Sequence, residues 1–209
     1  MHHAPRPDNK CCRGVFCIIQ RNGGIPLKHA GTRPIETQRL ILRPLEPTDA
    51  EMMFRNWTSD PRVTRYLRWE AHQQVEEAER MLQQWLSRYA SGETYYWGIT
   101  LKDGEMIGSI GVDIASAFDL QGSLGYKIGS RWWHQGYARE AAKAVIDYMF
   151  RFTDLERLDA FHAVENAASG RVMEAAGMQY EGLLRSYYRT RDGFHDCALY
   201  AMTRGDWQP

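Results

Sequence analysis

The sequence predicts a single mixed α/β domain, in which one mostly antiparallel sheet carries helices on both of its faces. The chain has 209 residues, which is the size of one domain. In its first half, apolar runs are joined by an Asp-Gly turn at residues 103–104, a strong hairpin signal. In its second half, strand and helix patterns alternate, which is typical of crossover units that cover a sheet on both sides.

The first predicted elements are a strand at residues 39–43 and two helices. Residues 48–51 have the sequence Thr-Asp-Ala-Glu, a capping box in which the Thr hydroxyl and the Glu carboxylate bond free amides at a helix start. That helix ends before the Asp-Pro pair at 60–61. Apolar side chains then recur at three- and four-residue steps through residues 75–89 and predict a second, longer helix.

Three strands, at 95–101, 106–114 and 124–128, form a predicted antiparallel meander. A glycine-containing turn leads from the last of them into a helix over residues 137–152, whose apolar residues share one face. This strand-turn-helix unit marks the change from the hairpin pattern to the crossover pattern.

The remaining predicted elements are a strand at 157–164, a short helix at 166–176, and two strands that flank the Asp-Gly turn at 192–193. Gly177 ends the short helix, because the absence of a Cβ permits the left-handed conformation there. The predicted order is β-α-α-β-β-β-α-β-α-β-β, without a repeat or a second domain.

Residues 1–34 are expected to form a flexible basic leader, and the folded domain is expected to cover residues 35–209. The leader holds six Lys or Arg and one Asp, whereas the whole chain has a net charge of zero, so the remainder carries about −5. The balanced total argues against a nucleic-acid partner. Because no apolar run is long enough for a membrane span or a signal peptide, we expect a cytoplasmic protein with no membrane association.

Three of the four cysteines, Cys11, Cys12 and Cys17, lie in the leader. Such an uneven distribution is unlike a disulfide framework. The spacing also differs from the C-x2-C form that zinc sites favour, so we expect no metal.

The turn before the predicted helix at 137–152 is the segment richest in chemistry. There a strand runs into a loop in which Gly136 and Ala138 open the helix. Free amides and the positive end of the helix dipole favour an anion, and small residues let phosphate oxygens approach the backbone. The loop has neither of the common nucleotide-binding signatures, so a glycine that only eases the turn is an equal alternative on this pattern alone.

Three segments in order, at residues 132–141, 164–178 and 181–185, resemble the GNAT acetyltransferases. The similarity is strongest to the branch that includes the ribosomal-protein N-terminal alanine acetyltransferases, and it covers about residues 35–207. The resemblance implies a transferase with acetyl-CoA as cosubstrate. It also implies that the strands at 124–128 and 158–164 splay apart and hold the pantetheine arm between them, with backbone groups of Tyr126 and Ile128 pairing with the pantetheine amides as an added strand would.

The resemblance further assigns site residues. Cofactor contacts fall on one strand, on the loop and on the starts of two helices, at Tyr126, Lys127, Ile128, His134, Gln135, Gly136, Tyr137, Ala138, Arg139, Asn166 and Ser169. Ser169 matches the serine that protonates the departing thiolate, and Tyr188 is the second catalytic candidate.

The chain departs from the family pattern at several of these positions. His134 replaces a common glycine and is tolerable only if its side chain points outward. Met173 stands where many relatives have an acid tyrosine. Some relatives have a carboxylate base at the position of Ser123 and others have one near Tyr188, and neither place is acidic here, which leaves the base unassigned.

The predicted acceptor pocket lies between residues 56–69 and 186–194. Its wall is expected to be aromatic, with Tyr66, Trp69, Tyr96, Trp97 and Tyr187, although ordinary packing is the alternative for each. The net charge of about −5 on the domain would mildly attract a cationic acceptor. An α-amine has a pKa of about 8, against about 10.4 for lysine, and therefore needs less help from a base.

The sequence thus predicts direct acetyl transfer to a primary amine, either a protein or peptide N-terminus or a small amine. Two alternatives stay open: an antibiotic- or polyamine-modifying acetyltransferase, and a non-catalytic acyl-CoA sensor domain. The oligomeric state is not set by the sequence, and a homodimer is among the states left open.

Overall fold

The computed structural model describes residues 27–208, in which the strands form one sheet of eight. The strands are β1 (Ile35–Glu36), β2 (Leu40–Pro44), β3 (Thr94–Leu101), β4 (Met106–Ser116), β5 (Gln121–Ile128), β6 (Arg157–Ala163), β7 (Gln179–Thr190) and β8 (Gly193–Thr203). Their spatial order is β1-β2-β3-β4-β5-β6-β8-β7. Neighbouring strands are antiparallel except β5 and β6, which are parallel.

Five α-helices lie within the described residues: α1 (Ala50–Met53), α2 (Pro61–Thr64), α3 (Val75–Arg88), α4 (Tyr137–Phe152) and α5 (Ala167–Ala175). A 3₁₀ turn at Pro47–Asp49 precedes α1, and a π-helical segment at Phe54–Thr58 follows it. The two long helices, α3 and α4, match the predicted ones to within a residue or two. No helix in this part of the chain is long and apolar enough to cross a membrane.

Alternation along β3 shows how the sheet is covered on both faces. Tyr95, Trp97 and Ile99 belong to the core cluster that includes α4, whereas Tyr96 belongs to a second cluster with α1 and α3. Because successive strand residues point to opposite faces, one strand serves both cores. The predicted mixed sheet with helices on both faces is confirmed.

Strands β5 and β6 are paired over three residues and then separate. Gln121, Gly122 and Ser123 of β5 pair with residues 157–159 of β6, whereas the rest of β5 has its ladder only with β4. The predicted splay of these two strands is therefore confirmed. Beyond Ser123, the side of β5 that faces β6 is free to bind an extended ligand.

The start of the first helical segment differs from the predicted capping box. The turn begins at Pro47, whose fixed φ suits a first helical residue. Asp49, rather than Glu51, accepts from a backbone amide, that of Glu46, at 2.7 Å. The side chain of Asp49 is buried and forms a two-point ion pair with Arg43 at 2.6 and 2.9 Å, so the turn is held by tertiary contacts that a local pattern does not contain.

The predicted boundary between leader and domain is wrong for residues 27–34, which pack on the fold. Leu27 is buried in the main core, and the Trp97 indole donates to the Arg33 carbonyl at 2.7 Å. The Tyr148 hydroxyl donates to the Gly31 carbonyl at 2.6 Å. Residues 1–26, with Cys11, Cys12, Cys17 and the rest of the predicted leader, lie outside the described residues.

Candidate active site

A cavity of about 1060 Å³ opens where β5 and β6 separate, and we call it the central cavity. Its walls come from β5, from the loop that precedes α4, from the start of α5, and from the segment around α2. All eleven residues predicted to contact the cofactor line it. Segments distant in sequence therefore meet at one cavity, as the resemblance implies.

The loop between β5 and α4 turns through two left-handed residues, His134 with φ of 61° and Gly136 with φ of 81°. His134 is exposed, as its side chain must be if the loop is to stay open to a ligand. The first intrahelical bond of α4 runs from the Glu140 amide to the Gly136 carbonyl at 3.1 Å. The amides of Tyr137, Ala138 and Arg139 precede it and have no acceptor within the helix, which makes them donors for an anion.

An ion pair fixes this loop to the first hairpin, and sequence reasoning missed it. Arg39 donates to the Glu140 carboxylate at 2.6 Å and to the Gln135 carbonyl at 2.9 Å. The Thr37 hydroxyl donates to the same carboxylate at 2.7 Å. Burial opposes ionisation, but the hydrogen bonds from Thr37 and Arg39 outweigh it and hold the pKa of Glu140 below its usual value. The loop is thus oriented before any ligand binds.

Trp133 is a second residue that sequence reasoning missed. Its indole N–H donates to the Ile128 carbonyl at 2.8 Å, across the turn from strand to loop. The carbonyl of Ile128, expected to meet the pantetheine arm, already has this partner. The bond fixes where β5 ends and where the loop before α4 begins.

Ser169 and Tyr126 meet inside the central cavity. Asn166 precedes α5, and its carbonyl accepts from the Ser169 amide at 3.0 Å. The Tyr126 hydroxyl lies 2.8 Å from Ser169 Oγ and donates to the Ser169 carbonyl at 2.8 Å. Burial raises the pKa of Tyr126, so its phenol stays protonated. Tyr126 was predicted to act through its backbone, but its side chain also positions Ser169.

Three aromatic residues form the other side of the cavity: Tyr66, Tyr96 and Tyr188. Tyr188 packs against Phe161 at a ring separation of 5.3 Å, and the Arg68 guanidinium lies 4.7 Å from its ring centre. Burial raises the pKa of Tyr188, which makes its phenol a donor and not a base at neutral pH.

Three predicted acceptor residues do not line the cavity. Trp97 does not reach the acceptor wall predicted for it. It neighbours Tyr96 on β3 and therefore points to the opposite face of the sheet, where it is fully buried. Trp69 instead packs on His72 at 5.0 Å between ring centres. Tyr187 is 53% exposed and contacts Phe161 from outside the cavity, since its neighbour Tyr188 takes the inward position.

The wall of the central cavity is basic, in contrast to the net charge of the domain. Within the described residues it contains five Arg or Lys and one carboxylate, namely Arg62, Arg65, Lys127, Arg139, Arg171 and Asp113. This local charge suits the phosphates of a nucleotide. It does not provide the attraction for a cationic acceptor that the sequence suggested.

Comparisons with known proteins agree with this geometry. The acetyltransferase (GNAT) domain family matches residues 39–179. The chain is 33% identical over 171 residues to the uncharacterized N-acetyltransferase YoaA of Bacillus subtilis, covering 81% of this chain and 96% of that protein. It is 32% identical over 126 residues to the ribosomal protein uS5 alanine N-acetyltransferase of Escherichia coli, covering 58% and 63% respectively.

Among solved structures, the fold is similar to that of a ribosomal L7/L12 α-N-protein acetyltransferase in complex with coenzyme A. The TM-score is 0.75 at 19% identity, with 82% of this chain and 98% of that chain covered. The family match spans the β5 edge, the loop before α4 and the start of α5, which together form the central cavity. The chain belongs to the GNAT family of acetyl-CoA-dependent N-acetyltransferases.

Proposed function

We propose that this protein transfers the acetyl group of acetyl-CoA directly to the α-amine of a peptide or protein N-terminus. One observation carries the proposal: the free amides at the start of α4, the open edge of β5 and the Tyr126–Ser169 pair share one cavity with an aromatic acceptor wall. The relative in Escherichia coli acts on an alanine of a ribosomal protein and supports an acceptor of this class.

Acetyl-CoA fits the residues on the cofactor side. Its pyrophosphate would lie on the amides of residues 134–139, at the positive end of α4. Its pantetheine amides would pair with the free edge of β5 at Tyr126, as an added strand does. Asn166, at the start of α5, would contact the same arm.

The proposed reaction needs no covalent enzyme intermediate. The amine nitrogen attacks the thioester carbon, a C–N bond forms, and the C–S bond breaks. A backbone amide of β5 would stabilise the charge that develops on the carbonyl oxygen. Ser169 would give its proton to the departing sulfur, with Tyr126 holding Ser169 Oγ in place.

The basic wall of the cavity favours this acceptor over the polyamine alternative. A polyamine carries several positive charges, and each would meet the field of the five basic side chains that line the cavity. A peptide N-terminus carries one ammonium, and its α-amine is largely neutral slightly above pH 8.

An acceptor screen that reports CoA release tests the proposal. We expect turnover with alanyl and seryl peptides, and little with spermidine or an aminoglycoside. Melting temperature with and without acetyl-CoA is the parallel measurement. A rise in melting temperature without CoA release from any amine would reject the enzyme activity and leave a sensor domain, and the absence of any rise would reject cofactor binding.

A further inference from the structure

We propose that Lys127 is the general base that takes a proton from the acceptor amine before it attacks. This inference rests on the proposed function, because it assigns a residue to a step of that reaction. The family resemblance leaves that step without a residue, since neither Ser123 nor the place near Tyr188 provides a carboxylate.

The side chain of Lys127 lies on the face of the sheet opposite to that of Tyr126. Tyr126 and Ile128 pack against the core cluster that includes α4. The Lys127 Nζ lies 4.9 Å from the ring centre of Trp85 and 5.9 Å from that of Tyr96, on the α3 face. The backbone of Lys127 can therefore face the cofactor while its amine faces the acceptor.

Two glycines shape this face of the sheet, one by leaving open space and the other by making room for the Tyr96 ring. Gly125 is two residues before Lys127 on the same face, and a Cβ built there meets no atom within 4 Å. Gly111 pairs with Gly125 across β4, and a Cβ at Gly111 would lie 2.3 Å from the Tyr96 ring. The glycine at 111 thus lets Tyr96 lie flat across the strand, where it stacks on Trp85 at 5.3 Å and forms the surface on which Nζ lies.

The protonation state of Lys127 suits the role. Burial lowers its pKa to about 8, although the negative charge of Asp113 opposes the shift. An α-amine also has a pKa of about 8, so the transfer of a proton between the two nitrogens is nearly balanced. A base works best when its pKa is close to the working pH.

The carboxylates nearby are less suited to act as the base. Asp113 accepts from Arg88 at 2.8 Å, from Thr94 at 2.9 Å and from Tyr96 at 3.2 Å, so its oxygens are occupied. Asp159 of β6 pairs with Ser123 where β5 and β6 are still joined, and it is not among the residues that line the central cavity. Compared with these two carboxylates, Lys127 lines the cavity and has a lone pair that can take a proton when its amine is neutral.

The protons lost and gained in this step are equal in number. One N–H bond of the acceptor ammonium breaks, and its proton binds the Lys127 lone pair. The neutral nitrogen then attacks, and it loses a second proton as the amide forms. Sulfur gains one proton from Ser169, which is reprotonated by that second proton. The net release is the one proton that Lys127 returns to solvent through the mouth of the cavity.

The test compares Lys127→Met and Lys127→Arg with two acceptors, an alanyl peptide and its trifluoroalanyl analogue, whose electron-poor amine is already neutral at pH 7. With the alanyl peptide at pH 7 we expect both variants to lose roughly 10-fold in kcat/KM, because neither side chain can accept a proton and only about one α-amine in ten is neutral in solution. With the analogue we expect a loss of less than about twofold, because no proton has to be removed before attack. Lys143→Met, at an exposed position on α4, is the matched control and should behave as wild type.

Equal losses with the two acceptors, or recovery of activity in Lys127→Arg, would overturn the base role in favour of packing or charge. Acetyl-CoA affinity and melting temperature of Lys127→Met separate this from failure to fold, and both should stay near wild type. Lysine side-chain NMR should show one amine that titrates near pH 8 and is absent from Lys127→Met. If the Lys127 amine instead titrated near the ordinary lysine value, the proposal would also be overturned.

The same measurements separate this proposal from the proposed function. Wild-type protein that binds acetyl-CoA but uses neither peptide would reject the proposed function itself, whereas full activity of Lys127→Met rejects only the base role of Lys127.

Discussion

The two sides of the central cavity are built from different parts of the chain. On the proposed cofactor side, the wall is formed by one strand edge, one loop and two helix starts, whose backbone groups would face the ligand. On the acceptor side, the wall consists of side chains from α2, β3, β5 and β7, which are far apart in sequence. Every predicted cofactor residue lines the cavity, whereas only Tyr66 and Tyr96 of the five predicted acceptor aromatics do. Recognition by backbone is thus encoded locally, and recognition by side chains depends on the assembled fold.

The largest effect that we predict is at Gly136. The residue has φ of 81°, and a Cβ there would lie 3.4 Å from the Arg39 guanidinium. Gly136→Glu should reduce acetyl-CoA affinity by at least about 100-fold, because it adds bulk and negative charge where the pyrophosphate would bind. Isothermal titration calorimetry measures the affinity.

Gly104→Glu is the matched control for this variant. Gly104 also has a positive φ, 95°, but it lies in the β3–β4 hairpin turn with open space around it. It should carry a similar backbone strain and keep wild-type affinity. Micromolar binding by Gly136→Glu would contradict the position assigned to the pyrophosphate.

Ser169 separates chemistry from binding on the cofactor side. Ser169→Ala should lower kcat by roughly 10- to 100-fold, because it removes the proton donor for the thiolate, while acetyl-CoA affinity changes by less than about threefold. Steady-state kinetics with an alanyl peptide measures kcat, and isothermal titration calorimetry measures the acetyl-CoA affinity. Ser87→Ala, on the exposed side of α3, is the control. Unchanged turnover would remove Ser169 from the acid role.

Tyr96 and Trp97 test the two faces of β3 at adjacent positions. Tyr96→Leu should raise the acceptor KM about 10-fold with little change in acetyl-CoA affinity, because Tyr96 lines the acceptor side. Trp97→Phe should leave KM unchanged but lower the free energy of unfolding by about 2 kcal/mol, because it loses buried volume and the hydrogen bond to Arg33. Chemical denaturation and acceptor kinetics on both variants measure the difference. If Trp97→Phe raised the acceptor KM and Tyr96→Leu did not, the acceptor would bind on the face of β3 opposite to the one assigned.

Much of the fold was predictable because its signals are local. The Asp-Gly hairpins, the apolar periods of α3 and α4 and the glycine that opens α4 each fit within a short window. The Arg39–Glu140 pair spans about one hundred residues and leaves no such local signal. The same holds for residues 27–34, whose anchors are Trp97 and Tyr148, and for Lys127, whose place beside Trp85 follows only from the packing of α3 on the sheet.

Strand alternation could have corrected one prediction in advance. Tyr96 and Trp97 are neighbours on a strand, as are Tyr187 and Tyr188, and only one member of each pair can face the cavity. The choice between the two members depends on which face carries α4, which the sequence of the strand does not state. For Tyr187 and Tyr188, the irregular register of β7 between Leu184 and Tyr188 makes the choice harder still.

The smallest effect that we predict concerns His134, where this chain departs from the family glycine. A left-handed conformation costs a residue with a Cβ roughly 1–2 kcal/mol, and the added freedom of glycine in the unfolded chain offsets up to about 1 kcal/mol of the relief. His134→Gly should therefore raise the free energy of unfolding by about 1 kcal/mol or less. Because the imidazole is exposed and the proposed pyrophosphate site consists of backbone amides, acetyl-CoA affinity should stay within about threefold of wild type. Gln135→Gly, which has no positive φ to relieve, should instead lower the free energy of unfolding, and a tenfold loss of affinity in His134→Gly alone would show that the imidazole itself binds phosphate.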